Sequence, residues 1–146
     1  MPVIVPYIVD LSSLKCMVMT NVELVKQGYS NFASGNMEAV LATWDPELEW
    51  HECKGFPYVE GDGIYKGPEA VLTQVLAKIP ELFDGFNIEV NEIFGADDKV
   101  VMQGYYCGTN RATGNSFKAN ATHVWTMKGG KSIRFFQAVD TATILA

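Results

Sequence analysis

Two ionisable residues of this chain sit where an apolar alternation should continue. In Phe117–Met127 one parity reads Phe117, Ala119, Ala121, His123, Trp125, Met127. The other reads Lys118, Asn120, Thr122, Val124, Thr126 and belongs in water. His123 therefore faces inward with the first set, beside two alanines that leave space around its ring. An imidazole in that position either satisfies a structural hydrogen bond or transfers protons and orients a substrate. Leu48, Trp50 and Glu52 share one parity of a shorter stretch, Leu48–Cys53. Burial raises a carboxyl pKa toward neutrality, which suits a general base. The opposing reading ends this strand at Trp50 and leaves Glu52 solvated. His51 falls on the exposed parity.

The last strand carries apolar residues on both parities: Arg134, Phe136, Ala138, Asp140 on one, Ile133, Phe135, Gln137, Val139 on the other. Either set can face inward, so Asp140 is a pocket-mouth carboxylate or the cap of the C-terminal tail. Glu92 interrupts the parity of Phe86, Ile88, Val90 and Phe94 near a strand end and reads as exposed. No G-x-S-x-G elbow, P-loop or H-E-x-x-H motif occurs. Gly61-Asp62-Gly63 lacks the strand–turn–helix setting of a dinucleotide site. The two histidines are far apart, and Cys16, Cys53 and Cys107 form no C-x-x-C pair. The expectation is no metal, no cofactor, and reduced thiols in a cytoplasmic protein.

The elements that must position these residues follow from patterning. Thr20-Asn21-Val22-Glu23 has capping-box form and opens a helix with apolar residues at Val22, Val25, Tyr29, Phe32 and Ala33. Gly35 ends it, and Asn36 caps a second helix whose stripe is Met37, Val40, Leu41 and Trp44, stopped by Asp45-Pro46. After the Leu48–Cys53 strand and a loop over Lys54–Lys66, Gly67-Pro68-Glu69 starts a third helix that Pro80 ends. The period then changes to two. Strands are expected over Phe86–Phe94, Val100–Thr109, Phe117–Met127 and Ser132–Val139, the last two joined at Gly129-Gly130. Helices followed by strands indicate α+β.

The 146 residues carry 11 Lys plus Arg against 17 Asp plus Glu, a net charge of −6. That suits one domain and argues against nucleic acid or an anionic membrane surface as partner. The apolar first eighteen residues lack a basic leader and are interrupted by Asp10. They read as an N-terminal arm, residues 1–19, before a single domain over 20–146, rather than as a signal peptide.

The chain resembles a known family. Gln27-Gly28-Tyr29-Ser30-Asn31-Phe32-Ala33-Ser34-Gly35-Asn36 is similar to the opening helix pair of SnoaL-like, or nuclear-transport-factor-2-like, proteins. Trp50-x-Glu52-x-x-Gly55-x-Pro57-Tyr58 with Tyr65-x-Gly67-Pro68-Glu69-Ala70-Val71, then His123-x-Trp125 before Gly129-Gly130-Lys131-x-Ile133 and Asp140-Thr141, complete the likeness. The resemblance implies a cystatin-like, cone-shaped α+β barrel. Three N-terminal helices would pack on a curved antiparallel sheet around a deep apolar pocket, in a homodimer. Ketosteroid isomerase, polyketide cyclases, scytalone dehydratase and limonene epoxide hydrolase share that fold.

By this resemblance Glu52 stands where the isomerase has its base. His123 stands at or beside its oxyanion donor, and Asp140 resembles the late acidic residue of the cyclases. The isomerase's oxyanion tyrosine corresponds to Gly28, with Tyr29 adjacent. Tyr29, Trp50, Tyr58, Tyr106, Trp125 and Phe136 are expected to line the pocket, a cavity of roughly 300–1,000 Å³.

Two classes of function compete. One is a cofactor-free isomerase or cyclase acting on a small apolar carbonyl compound. Glu52 would take a proton beside the carbonyl, His123 or a nearby Tyr would hold the oxygen, and Asp140 would orient His123. The other is a non-catalytic ligand-binding or dimerisation module. A dehydratase or epoxide hydrolase shares the same pocket.

Overall fold

Thr20 and Glu23 form the expected reciprocal cap: the Glu23 amide donates to the Thr20 hydroxyl at 3.2 Å and the Thr20 amide to the Glu23 carboxylate at 2.9 Å. This starts α1, Asn21–Ala33. The computed structural model describes residues 19–146, so the expected arm lies outside the described residues except at Met19. Gly35, at φ 76°, turns the chain into α2, Met37–Ala42, which Asn36 caps through the Ala39 amide.

α2 is shorter than its apolar stripe suggests. Trp44 opens β1, Trp44–His51, and Asp45-Pro46 lies inside that strand. Pro46 falls where pairing with the neighbouring strand skips from Trp44 to Glu49, so its missing amide removes no ladder bond. β2 is Ile64–Lys66. The third helix is also interrupted: α3, Pro68–Gln74, passes through a 3-10 turn at Leu76–Lys78 into α4, Ile79–Leu82. Pro80 sits in the first turn of α4, where a missing amide is tolerated, rather than ending a helix. The remaining elements are β3, Phe83–Ala96; β4, Lys99–Asn110; β5, Ser116–Lys128; β6, Lys131–Val139; and α5, Thr141–Leu145.

The six strands lie in the order β2-β1-β6-β5-β4-β3. The sheet is not wholly antiparallel: β1 runs parallel to β6, which a distant connection permits. Register shifts in β3, at β5–β6 and at β1–β6 bend it. α1 packs on β3 and β4, and α3 on β1, over the concave face. Two apolar groups form there. One is built on Trp44, Trp50, Trp125 and Phe135. The other is built on Phe56, Phe83, Tyr106 and Phe117, closed by Ile144 of α5.

Candidate active site

Between these groups is a cavity of about 80 Å³. This is well below the size expected from the resemblance, and it suits a small molecule or a few waters. The walls are mainly aromatic and aliphatic, and among the described residues Glu52 is their only acidic or basic side chain apart from His123.

β1 ends at His51, one residue before Glu52, yet Glu52 stays inside at 8% exposure. The backbone explains this. The Glu52 amide donates to the Gly63 carbonyl at 2.8 Å, which carries the strand's alternation one residue past its end. Leu48, Trp50 and Glu52 are all buried as a result. The Glu52 carboxylate accepts from the Cys53 amide at 2.9 Å, from Trp50 Nε1 at 3.3 Å and from Gln137 Nε2. Burial raises its pKa from 4.5 to about 7, against the opposing pull of the Cys53, Trp50 and Tyr58 hydrogen bonds.

His123 points inward from β5 and is 2% exposed. Tyr29 of α1 meets its Nδ1 at 2.6 Å, and Tyr106 of β4 meets its Nε2 at 2.5 Å. Burial lowers its pKa to about 3, so the ring is neutral. Ala119 and Ala121, buried on the same face of β5, leave space beside it. Trp125 Nε1 donates to Tyr29 Oη at 2.9 Å, and the Tyr106 hydroxyl donates to Gln137 Oε1 at 2.7 Å. The row thus runs from Trp125 through Tyr29, His123, Tyr106 and Gln137 to Glu52. Burial also raises the pKa of Tyr29, Tyr58 and Tyr106, so all three hydroxyls stay protonated.

Tyr29, Trp50, Tyr58, Tyr106 and Trp125 line the cavity with Glu52 and His123. Two expectations need correction. Phe136 lies on the outer face of the sheet at 46% exposure, tilted against His51, and Phe135 takes the inward place. Asp140 is at the surface and caps α5, accepting from the Thr143 amide at 3.1 Å and hydroxyl at 2.6 Å. Those two bonds hold its carboxyl below the usual range, and it does not reach His123. His51 also faces outward, against Glu49 at 2.5 Å.

Gln137 is the residue that parity reasoning missed. It is 6% exposed and polar between Phe135 and Val139, the same signal that marks His123 and Glu52. Among the described residues no three His, Cys, Asp or Glu side chains converge as a metal site requires.

The SnoaL-like domain family matches residues 25–135. The chain belongs to that family. Its architecture is the one described as NTF2-like and cystatin-like in solved structures. An NTF2-like protein from Burkholderia thailandensis is 30% identical, with a TM-score of 0.81 over 88% of this chain and 96% of that one. TerC, co-crystallised with polyporic acid, is 25% identical, with a TM-score of 0.75 over 86% and 98%. A protein of ketosteroid isomerase-like fold from Catenulispora acidiphila, in complex with trimethylamine, is 12% identical, with a TM-score of 0.68 over 86% and 92%, a likeness of fold alone. No curated protein matches the chain. The domain therefore has the fold shared by isomerases and polyketide cyclases, and fold by itself does not assign the reaction.

Proposed function

We propose that this SnoaL-like domain is a cofactor-free enzyme of isomerase or cyclase type, with Glu52 removing a proton from carbon beside the carbonyl of a small neutral substrate. One observation carries the reading: a buried carboxylate with a pKa raised to about 7, held by Cys53, Trp50, Gln137 and Tyr58, stands in an apolar cavity that carries no Lys or Arg among the described residues. A base whose pKa lies near the working pH combines availability with driving force. Among the described residues the wall carries no Lys or Arg, which disfavours an anionic substrate.

The oxygen of the substrate needs a donor. Both nitrogens of His123 are engaged; Tyr58, outside the Trp125–Gln137 row, donates to the Glu52 carboxylate and takes that role by turning its hydrogen from Glu52 onto the substrate oxygen. The cavity's small volume favours a second reading, a non-catalytic module for a small ligand. We also propose that the protein acts as a homodimer packed through the outer face of its sheet.

The test is deuterium exchange at the α-carbon of small cyclic ketones and β,γ-enones in D2O, followed by NMR. The wild type should promote exchange, and Glu52→Gln should slow it by about 10²–10⁴-fold. Equal rates in the two proteins would exclude Glu52 as the base. Binding of these ketones without exchange would favour the module.

A further inference from the structure

The row of side chains across the cavity admits one consistent placement of hydrogens when Glu52 is ionised. Trp125 Nε1 can only donate, so Tyr29 Oη accepts from it. An ionised Glu52 can only accept. Gln137 meets Glu52 with one end of its amide and Tyr106 with the other. Turning its carbonyl to the carboxylate would oppose two acceptors, so the NH2 faces Glu52 and Oε1 faces Tyr106. The Tyr106 hydroxyl then gives its one hydrogen to Gln137, 2.7 Å away. Toward His123 it can only accept, which places the imidazole hydrogen on Nε2. Nδ1 is left as an acceptor, and the Tyr29 hydroxyl donates to it at 2.6 Å.

We propose that Gln137 is a positioning residue. It passes the polarity of the Glu52 carboxylate through Tyr106 to His123, and so holds the ring as the Nε2–H tautomer with the Tyr29 hydrogen turned onto Nδ1. This deepens the proposed function and rests on its ionised Glu52. With Gln137 in place, Tyr29 shows a ligand its oxygen but not its hydrogen. The Tyr58 hydroxyl, which donates to Glu52 and lies outside the row, is then the one that can turn to a substrate oxygen, and this sets which way round a carbonyl compound lies against Glu52.

The test is ¹⁵N NMR of the full chain at about pH 9, above the Glu52 pKa and below those of the buried tyrosines. The groups facing His123 and its row are Glu52, Tyr29, Tyr58, Tyr106 and Cys53, and at that pH Glu52 alone among them is charged. The chain has two histidines, so His51→Gln assigns the signals. In the wild type, His123 Nε2 should resonate as a pyrrole-type nitrogen and Nδ1 as a pyridine-type one. In Gln137→Leu, the Tyr106 hydrogen loses its acceptor and turns to Nε2, and the two nitrogens should exchange character.

An Nδ1–H ring in the wild type overturns the proposal without any variant. So does an unchanged tautomer in Gln137→Leu with a native-like spectrum. If Gln137→Leu does not fold, Gln137→Met provides the same comparison. The measurement reads no turnover. The expected tautomers together with absent α-exchange would keep the positioning role and reject the reaction, and the converse pair would do the opposite.

Discussion

Glu52 and His123 respond to pH in opposite senses. Burial raises the Glu52 pKa from 4.5 to about 7 in the folded chain. Across that window the unfolded chain has released the proton that the folded chain keeps, so stability falls as pH rises. Burial lowers the His123 pKa from 6.5 to about 3, so the unfolded chain holds the extra proton there, and stability falls as pH drops. Between 4.5 and 6.5 the two contributions cancel. Glu52→Gln removes one of them. Relative to the wild type, the variant should gain about 1.4 kcal/mol per pH unit as pH rises through this window. Denaturant unfolding of both proteins at about pH 5 and about pH 6 measures the difference, and parallel profiles would show Glu52 to be solvated.

At the scale of elements, the cavity depends on close strand pairing and on the cap of α5. Gly104 of β4 faces the β3 bulge, and a Cβ there would stand 2.1 Å from the Glu89 carbonyl oxygen. Because the obstacle is backbone, the strands would have to part. Gly104→Ala should destabilise the fold by about 1–3 kcal/mol, read from urea midpoints. Asp140 satisfies the first turn of α5, whose Ile144 closes the barrel at 1% exposure. Asp140→Ala should cost about 1 kcal/mol of stability while leaving α-exchange unchanged. A large loss of exchange with intact stability would return Asp140 to the site.

For the whole molecule, the proposed homodimer rests on the outer face of the sheet. Ile64, His51, Phe136, Val124, Val101 and Phe94 lie in register across neighbouring strands, with Phe94 and Phe136 half exposed. A mainly apolar row of this length on a solvated face suits a self-complementary contact. Light scattering should give a dimer for the wild type and a monomer for Phe136→Lys, with unchanged folding. A wild-type monomer at micromolar concentration would reject the dimer. Among the described residues, no helix is long and apolar enough to cross a membrane.

Local patterning by itself determined the capping box at Thr20, the Gly35 turn, the four long strands and the inward side of β5. Each follows from neighbouring residues and a fixed period of 3.6 or 2. The resemblance added the barrel. Alternation was silent in β6, because the outer row places Phe136 opposite Phe135 and makes both faces apolar, so Gln137 went unmarked and Phe136 was misplaced. It was also silent at the end of β1, where the burial of Glu52 rests on the Gly63 carbonyl and on Gln137, 85 residues away. Only the tertiary structure decided that Tyr29 reaches His123 across 94 residues, that Asp140 caps a helix, and that the cavity is small. Those are contacts between elements whose sequences carry no record of one another. Hydrogen-bond partners and enclosed volume are set by where strands and helices pack, not by the period of any one of them.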